Sequence, residues 1–445
     1  MTEEYDVIVV GGGPAGFGAA VAAGRQGRDV LLLEAADQLG GAGTTALVNN
    51  FCNAYWDGDR FIIGGIFGEL RHRLIGRKAI WITRGPNTAE KVGQEVYNPD
   101  AYADELDRMC RQADVTVRYG APCTDATFAD DHTTVRVDGE TFVGRTVVDA
   151  TGDAVLAHHA GVPTEIGRGR GEIQPLTYCY MFGPVDLATL GERYPGAIQY
   201  DENVDVEYGV PSYVDEICEF VREDVAAGAL DLPVPTLYAT VSVPGREEYM
   251  TTNFGHVEID DPTDPAQLDR ATAEGKRQMR EGLRWFRERL PGFAEVEVVR
   301  EPDRIGVRES RQIEGLYTLE AADVAGRRQF DDVIAQCCFN IDVHQADVDV
   351  DHSYGVDGLG EHDHYDIPWR ALVPAAGPEN LLVAGRSISA TSVAMSSFRV
   401  SPSVMAIGEA AGVTAAIAVE TDQPIADVDV ETVQARLRAA GAVLS

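Results

Sequence analysis

Residues 7–34 read VIVVGGGPAGFGAAVAAGRQGRDVLLLE. An apolar run at 7–10 leads into a glycine turn, an alanine-rich segment to Gln26 and a second apolar run at 29–33. This pattern predicts a strand, a helix and a second strand, a β-α-β unit. Gly11, Gly13 and Gly16 form a G-x-G-x-x-G array at the strand-to-helix turn, with Pro14 and Ala15 inside it. The glycines let the backbone turn tightly and approach a pyrophosphate, whose charge lies at the positive end of the following helix. Glu34, closing the second strand, is placed to accept hydrogen bonds from an adenosine ribose. Alone the glycine array is a weak signal. Between two strands, with the acid after it, it predicts a bound dinucleotide without deciding between NAD and FAD.

Outward from this unit, a helix is expected over 98–112, because Asp100 and Asp104 lie early in it and Arg108 and Arg111 late, as the helix dipole favours. Short strands are expected over 115–149. The middle differs in texture, with aromatic strands at 176–182 and 238–243 and a charged helix at 272–290. Near the end, 381–384 restores the apolar-strand signature. Ser401 as N-cap with Pro402 at the first helical position then opens an alanine-rich helix to about 419. The expected organisation is an α/β dinucleotide domain in two parts, 1–160 and 368–445, around an inserted α+β unit at 161–367.

Acidic residues number 72 against 37 basic ones, a formal charge of −35, and lysine occurs only at 78, 91 and 276. Such a surface repels phosphate backbones and anionic lipid headgroups, so neither a nucleic-acid nor a membrane-surface partner is expected. Acidity this even along the chain predicts a surface suited to concentrated salt, that of a halophilic protein. The seven cysteines are odd in number and scattered, with no C-x-x-C, which fits reduced thiols better than a disulfide framework. The first six residues carry three acids and no basic residue, unlike a signal peptide, and a cytoplasmic location is expected.

Four further stretches narrow the choice of dinucleotide: LGGAGTTALV at 39–48, VVDATGDA at 147–154, NLLVAGRSISAT at 380–391 and SFRVSPSVMAIGEAAG at 397–412. With the opening, they make the chain resemble the FAD-dependent oxidoreductases that include the flavin subunit of heterodisulfide reductase. More remotely it is similar to the fumarate reductase and succinate dehydrogenase flavoproteins. The resemblance runs from Asp6 to about Val419 and implies a glutathione-reductase-type, Rossmann-like FAD domain holding an inserted substrate domain. It implies FAD contacts at Gly41 and Thr44, at Ala150, Thr151 and Gly152, at Gly385 and Arg386, and at Pro402 and Ser403. Many relatives of this fold carry an acid after the glycine at 385, where this chain has Arg386. The helix opened by Pro402 would present N-terminal amides to negative charge on a reduced flavin.

On the substrate side, the resemblance points to RIGVRESRQIEGLY at 304–317, DVHQADVD at 342–349 and YDIPWRALVP at 365–374. These supply Arg304, Asp342 and Tyr365, and the expected catalytic set of Arg308, Arg311, His344 and Arg370. An arginine beside a flavin orients a carboxylate or holds an oxyanion, and a histidine passes a proton as hydride moves. Arg308 and Arg311 share a face if this stretch is helical and diverge if it is extended. His352, His362 and His364 lie in a Gly- and acid-rich loop read as solvated, so no metal is expected. Cys337 and Cys338 are vicinal but lack the further thiols of an iron–sulfur site. The expected function is hydride transfer between FAD and a small organic substrate, anionic or carbonyl-bearing. The alternative is a flavin subunit passing electrons to an iron–sulfur partner protein. No second strand-G-x-G-x-x-G-helix unit follows in residues 35–445.

Overall fold

Apolar strands buried on both faces need cover above and below, and the opening segment supplies the centre of such a layered arrangement. The structure, a computed structural model, describes residues 3–52, 56–57, 60–82, 95–129, 131–167, 172–202, 204–344 and 364–444. Its main sheet contains β1 (Glu3–Val10), β2 (Val30–Leu33), β3 (Thr116–Arg118), β4 (Asp125–Phe128), β5 (Thr133–Val137), β6 (Glu140–Asp149) and β7 (Leu381–Val383). The order across it is β3-β2-β1-β6-β5-β4. β1 runs parallel to β2 and β6, and β2 runs parallel to β3. β6 pairs antiparallel with β5 along its first half, and its end, Val147 to Asp149, pairs parallel with β7. Strand β7 thus brings the C-terminal part of the chain beside the nucleotide-binding turn.

Helix Pro14–Arg25 follows β1 and packs along helix Ser401–Thr421. A Cβ added at Gly408 would stand 1.9 Å from the Ala15 carbonyl oxygen, and one at Gly412 would stand 2.1 Å from that of Ala19. Backbone meets backbone there, and any side chain at either glycine would force the helices apart. Helix Ser401–Thr421 is long and apolar enough to cross a membrane, but 94% of its most apolar window is buried in the fold, which makes it a core helix. Its cap differs from the sequence expectation. Val400 holds the N-cap position with no side-chain capping bond, and Ser401 is already helical.

The middle segment has a core of its own. Four antiparallel strands, in the order Tyr238–Val243, Arg246–Asn253, Tyr180–Gly183 and Glu297–Arg300, meet helix Pro265–Arg289. Phe182, Met250, Trp285, Phe286 and Phe293 fill the space between them. The helix starts earlier than its charge pattern suggests, since Asp264 accepts from the Ala266 amide and Pro265 opens the first turn. The strand expected at 176–182 forms only from Tyr180, with isolated bridges from Leu176 to Val257 and from Thr177 to Gly306. The chain enters and leaves this unit through paired strands Thr164–Ile166 and Arg311–Ile313. Its core closes at Ile305, whereas Leu319, Ile334, Tyr365, Ile367 and Trp369 pack into the core that holds helix Pro14–Arg25. By packing, therefore, the described residues of 319–341 and 365–367 go with the nucleotide-binding part rather than with the inserted unit.

Candidate active site

The nucleotide end of the site is built at the carboxyl ends of β1, β6 and β7. Gly11 has φ +99, and a Cβ on it would stand 2.4 Å from the Ala150 oxygen, so only glycine lets β1 turn this close to β6. A Cβ on Gly16 would lie 1.7 Å from the Gly11 oxygen, which brings the first helical turn against the strand. Gly13 is different: an added Cβ would meet only the Gly41 Cα, at 4.0 Å, so the space before it is open. Gly13 is the N-cap of a helix that begins with Pro14 and has no side-chain cap, which leaves first-turn amides, Ala15 and Gly16 among them, for an anion. Glu34 is buried, and its carboxylate accepts from the Gly12 amide at 2.6 Å and the Ala36 amide at 2.7 Å. The acid read as a ribose acceptor thus also pins the glycine turn.

Loop 39–48 closes over this turn. The Thr44 hydroxyl donates to the Leu39 carbonyl at 2.8 Å and the Thr45 hydroxyl to that of Gly41 at 2.8 Å, so both threonines shape the loop with their hydroxyls. Thr151 is likewise engaged: its hydroxyl donates to Asp149 at 2.7 Å and accepts from the Val155 amide at 3.1 Å. Two buried polar atoms along the cleft have no protein partner, Arg386 Nε and Ser387 Oγ. Buried polar groups are rarely left so, and these atoms, with the uncapped Ser401–Thr421 helix and the open space at Gly13, fit a long polar cofactor. Gly11, Gly13, Pro14, Ala15, Gly16, Glu34 and Gly41 would hold its adenosine diphosphate part. Ala150, Thr151, Gly152, Gly385 and Arg386 would follow the middle, and Pro402 and Ser403 the ring.

Beyond the ring end lies a polar cluster drawn from separate segments. Segment 303–310 is anchored on the cofactor loop by the Asp303 amide, which donates to the Thr45 carbonyl at 2.8 Å. From it, Arg308 reaches the Pro175 carbonyl and lies 3.5 Å from His256 Nε2. The His256 and His344 rings meet edge to face at 5.1 Å, and Tyr238 stacks on His256 at 5.8 Å. His344 Nε2 lies 3.1 Å from Asp342 Oδ2, and Arg399 Nη2 donates to the same oxygen at 3.3 Å. Arg399 ends helix Ser392–Phe398, two residues before helix Ser401–Thr421, which ties the cluster to the ring end. Arg399 Nη1, His256 Nδ1 and His344 Nδ1 are buried with no protein partner.

Burial, then the Arg308 charge, pushes His256 down to about 2. Burial and Arg308 push His344 down to about 4 against the pull of Asp342. Burial, then Arg399, lowers Arg308 to about 10. Burial raises the Asp342 carboxyl, but the hydrogen bond from His344 and the charges of His344, Arg399 and Arg308 outweigh it and hold the acid well below the carboxylate range. At neutral pH the site therefore holds two charged arginines, one carboxylate and two uncharged imidazoles.

Two of the four expected catalytic residues, Arg308 and His344, meet in this cluster; Arg311 and Arg370 do not. The 304–313 stretch holds no helix and ends in strand Arg311–Ile313, so Arg311 diverges from Arg308 and donates to the Asp153 carbonyl at 3.2 Å and the Thr263 hydroxyl at 3.0 Å. Arg370 sits in the turn Trp369–Ala371 with its side chain 44% exposed, paired with Asp332 at 2.9 Å. Its guanidinium lies 5.2 Å over the Tyr317 ring, a surface arrangement. Arg304 is exposed, and Tyr365 is buried with its hydroxyl donating to Ser397 at 2.8 Å. Sequence reasoning missed His256, Tyr238 and Arg399. Arg399 lay in a quoted stretch, but no local pattern marks the other two. His352 and His362 fall outside the described residues, while His364 lies 2.7 Å from Gln336 Nε2. Among the described residues no group of three or more His, Cys, Asp or Glu gathers to hold a metal.

Fold and site together define a Rossmann-like dinucleotide-binding oxidoreductase. The chain belongs to the FAD dependent oxidoreductase family, matched over residues 6–437, and its cofactor is FAD. A stretch of 43 residues is 51% identical to a soluble pyridine nucleotide transhydrogenase from Marinomonas sp. (strain MWYL1), covering 10% of this chain and 9% of that one. Among solved structures, the chain is similar to a geranylgeranyl bacteriochlorophyll reductase-like protein from Thermoplasma acidophilum, with 13% identity, TM-score 0.46 and coverage of 99% of this chain and 84% of that one. It is also similar to GidA from Aquifex aeolicus, with 13% identity, TM-score 0.47 and coverage of 95% and 64%.

Proposed function

We propose that this enzyme transfers hydride between FAD and a small anionic or carbonyl-bearing substrate held beside Arg308, Arg399, His256 and His344. The observation that carries the reading is the buried meeting of two arginines and two uncharged imidazoles at the ring end of the cofactor cleft, with three nitrogen atoms lacking protein partners. When bound, FAD supplies two-electron hydride chemistry. Arg308 and Arg399 bind and orient an oxyanion or a polarised carbonyl. Because Asp342 accepts at His344 Nε2, the ring proton belongs there and Nδ1 carries the lone pair. That nitrogen takes the proton of a hydroxyl as hydride leaves the carbon, or returns it in the reverse direction. Burial is the larger cause of the lowered His344 pKa and Arg308 the second; an anion beside the arginines offsets that second, electrostatic part and so raises the basicity of the imidazole.

The test is anaerobic flavin bleaching with a panel of small hydroxy acids, keto acids, alcohols and sugars, run in both redox directions. A substrate found this way should react 10²-fold or more slowly with His344→Ala, the usual scale of a positioned acid/base, while flavin content is kept. Arg370→Ala, on its exposed ion pair, should leave the rate per flavin nearly unchanged. If no small molecule changes the flavin and a reduced iron–sulfur protein does, the electron-transfer alternative takes its place.

A further inference from the structure

The side chain that follows Gly385 at the end of β7 is a guanidinium. Arg386 Nη2 donates to Asp153 Oδ1 at 2.7 Å, an ion pair between residues 233 apart in the chain. Asp153 directly follows Gly152 at the end of β6. Three contacts fix it: its amide donates to the Thr151 hydroxyl at 3.3 Å, its carbonyl accepts from Arg311 at 3.2 Å, and its carboxylate accepts from Arg386. Gly152 has φ +76, and a Cβ on it would stand 2.7 Å from Arg386 Nη1 and 2.8 Å from Cζ, so the guanidinium lies flat against the glycine backbone. Gly385 approaches the start of the first helix, where an added Cβ would be 3.3 Å from the Ala15 Cβ. The arginine therefore spans from the phosphate end of the cleft to the end of β6. Its Nε is buried without a protein partner, while the Asp153 side chain is 36% exposed and Oδ1 alone takes the ion pair.

We propose that Arg386 and Asp153 form a donor–acceptor couple on the phosphate–ribityl stretch of the dinucleotide. The buried Nε–H of Arg386 donates to a phosphate oxygen, and the second carboxylate oxygen of Asp153 accepts from a ribityl hydroxyl. The acid of the couple comes from the end of the neighbouring strand β6 and is oriented by Arg386. Arg311, through the Asp153 carbonyl, is a positioning residue for the couple rather than a catalytic one. The inference rests on the FAD reading of the cleft and adds Asp153 and Arg311 to it.

The experiment is titration of flavin-free protein with FAD at fixed KCl, followed by flavin fluorescence, together with the melting temperature of the flavin-free forms. Arg386→Met and Asp153→Asn should each weaken FAD binding tenfold or more, the scale of one charge-assisted hydrogen bond, with little change in the flavin-free melting temperature. Arg386→Lys keeps the charge but has no Nε–H, and it should stay weak. Arg311→Met should weaken FAD binding severalfold, and Arg311→Lys should recover part of the loss. Wild-type FAD affinity in either Arg386→Met or Asp153→Asn overturns the couple, as does an FAD affinity that falls only in step with flavin-free stability. Failure of the underlying reading looks different: the wild-type chain would then take up no FAD, or Gly13→Val would bind it undiminished.

Discussion

Glu409 lies inside helix Ser401–Thr421, 2% exposed, and its carboxylate accepts from the Ile66 amide at 2.9 Å at the start of helix Gly65–Gly76. Burial raises its pKa from an ordinary 4.5 to about 7, with the Ile66 amide and Arg25 opposing and Glu69 reinforcing the shift. A raised folded-state pKa means that this group's contribution is fully present below the unfolded value. It is lost as pH rises through the folded value, because the unfolded chain then ionises more readily than the folded one. The difference corresponds to a loss of about 3 kcal/mol between pH 4 and pH 8. Glu409→Gln removes the ionisation but keeps an oxygen for the Ile66 amide. Urea unfolding of wild type and variant at fixed KCl and saturating FAD should therefore give near-equal stabilities around pH 4.5, with the variant ahead by about 2–3 kcal/mol at pH 8. Taking the difference between the two proteins cancels the other titrating groups. Stability curves that run parallel across this range would refute the reasoning.

Gly13→Val puts a branched side chain into the open space before the first helix and should yield colourless protein, checked by the flavin absorbance of purified variant. NADH and NADPH should reduce the flavin slowly at best, because no second dinucleotide fingerprint follows the first; rapid, saturable bleaching in stopped flow would contradict this. With a formal charge of −35, the protein should gain stability steeply with KCl, since the screening length falls from about 10 Å at 0.1 M to about 3 Å at 1 M. Melting temperatures across a KCl series check this, and a flat series would remove the idea of a salt-adapted surface.

Sequence alone determined the dinucleotide fold, because its signals are local. Strand, turn and helix at 7–34 follow from apolar periodicity and from glycines whose neighbours lie within a few residues. The polar cluster was only half visible. Arg308 and His344 were found, but His256 and Tyr238 come from the inserted unit, and Arg399 comes from the end of helix Ser392–Phe398. Nothing within a window of sequence links them, since long-range packing alone sets their separation. Arg311 and Arg370 show the converse. Both sit in promising stretches, yet an extended backbone turned one toward Asp153, and an outward-facing turn gave the other to Asp332. Residue type and spacing fix what a side chain is able to do; which of its neighbours it meets is fixed by segments 38 to 158 residues away, and only the tertiary structure decided that.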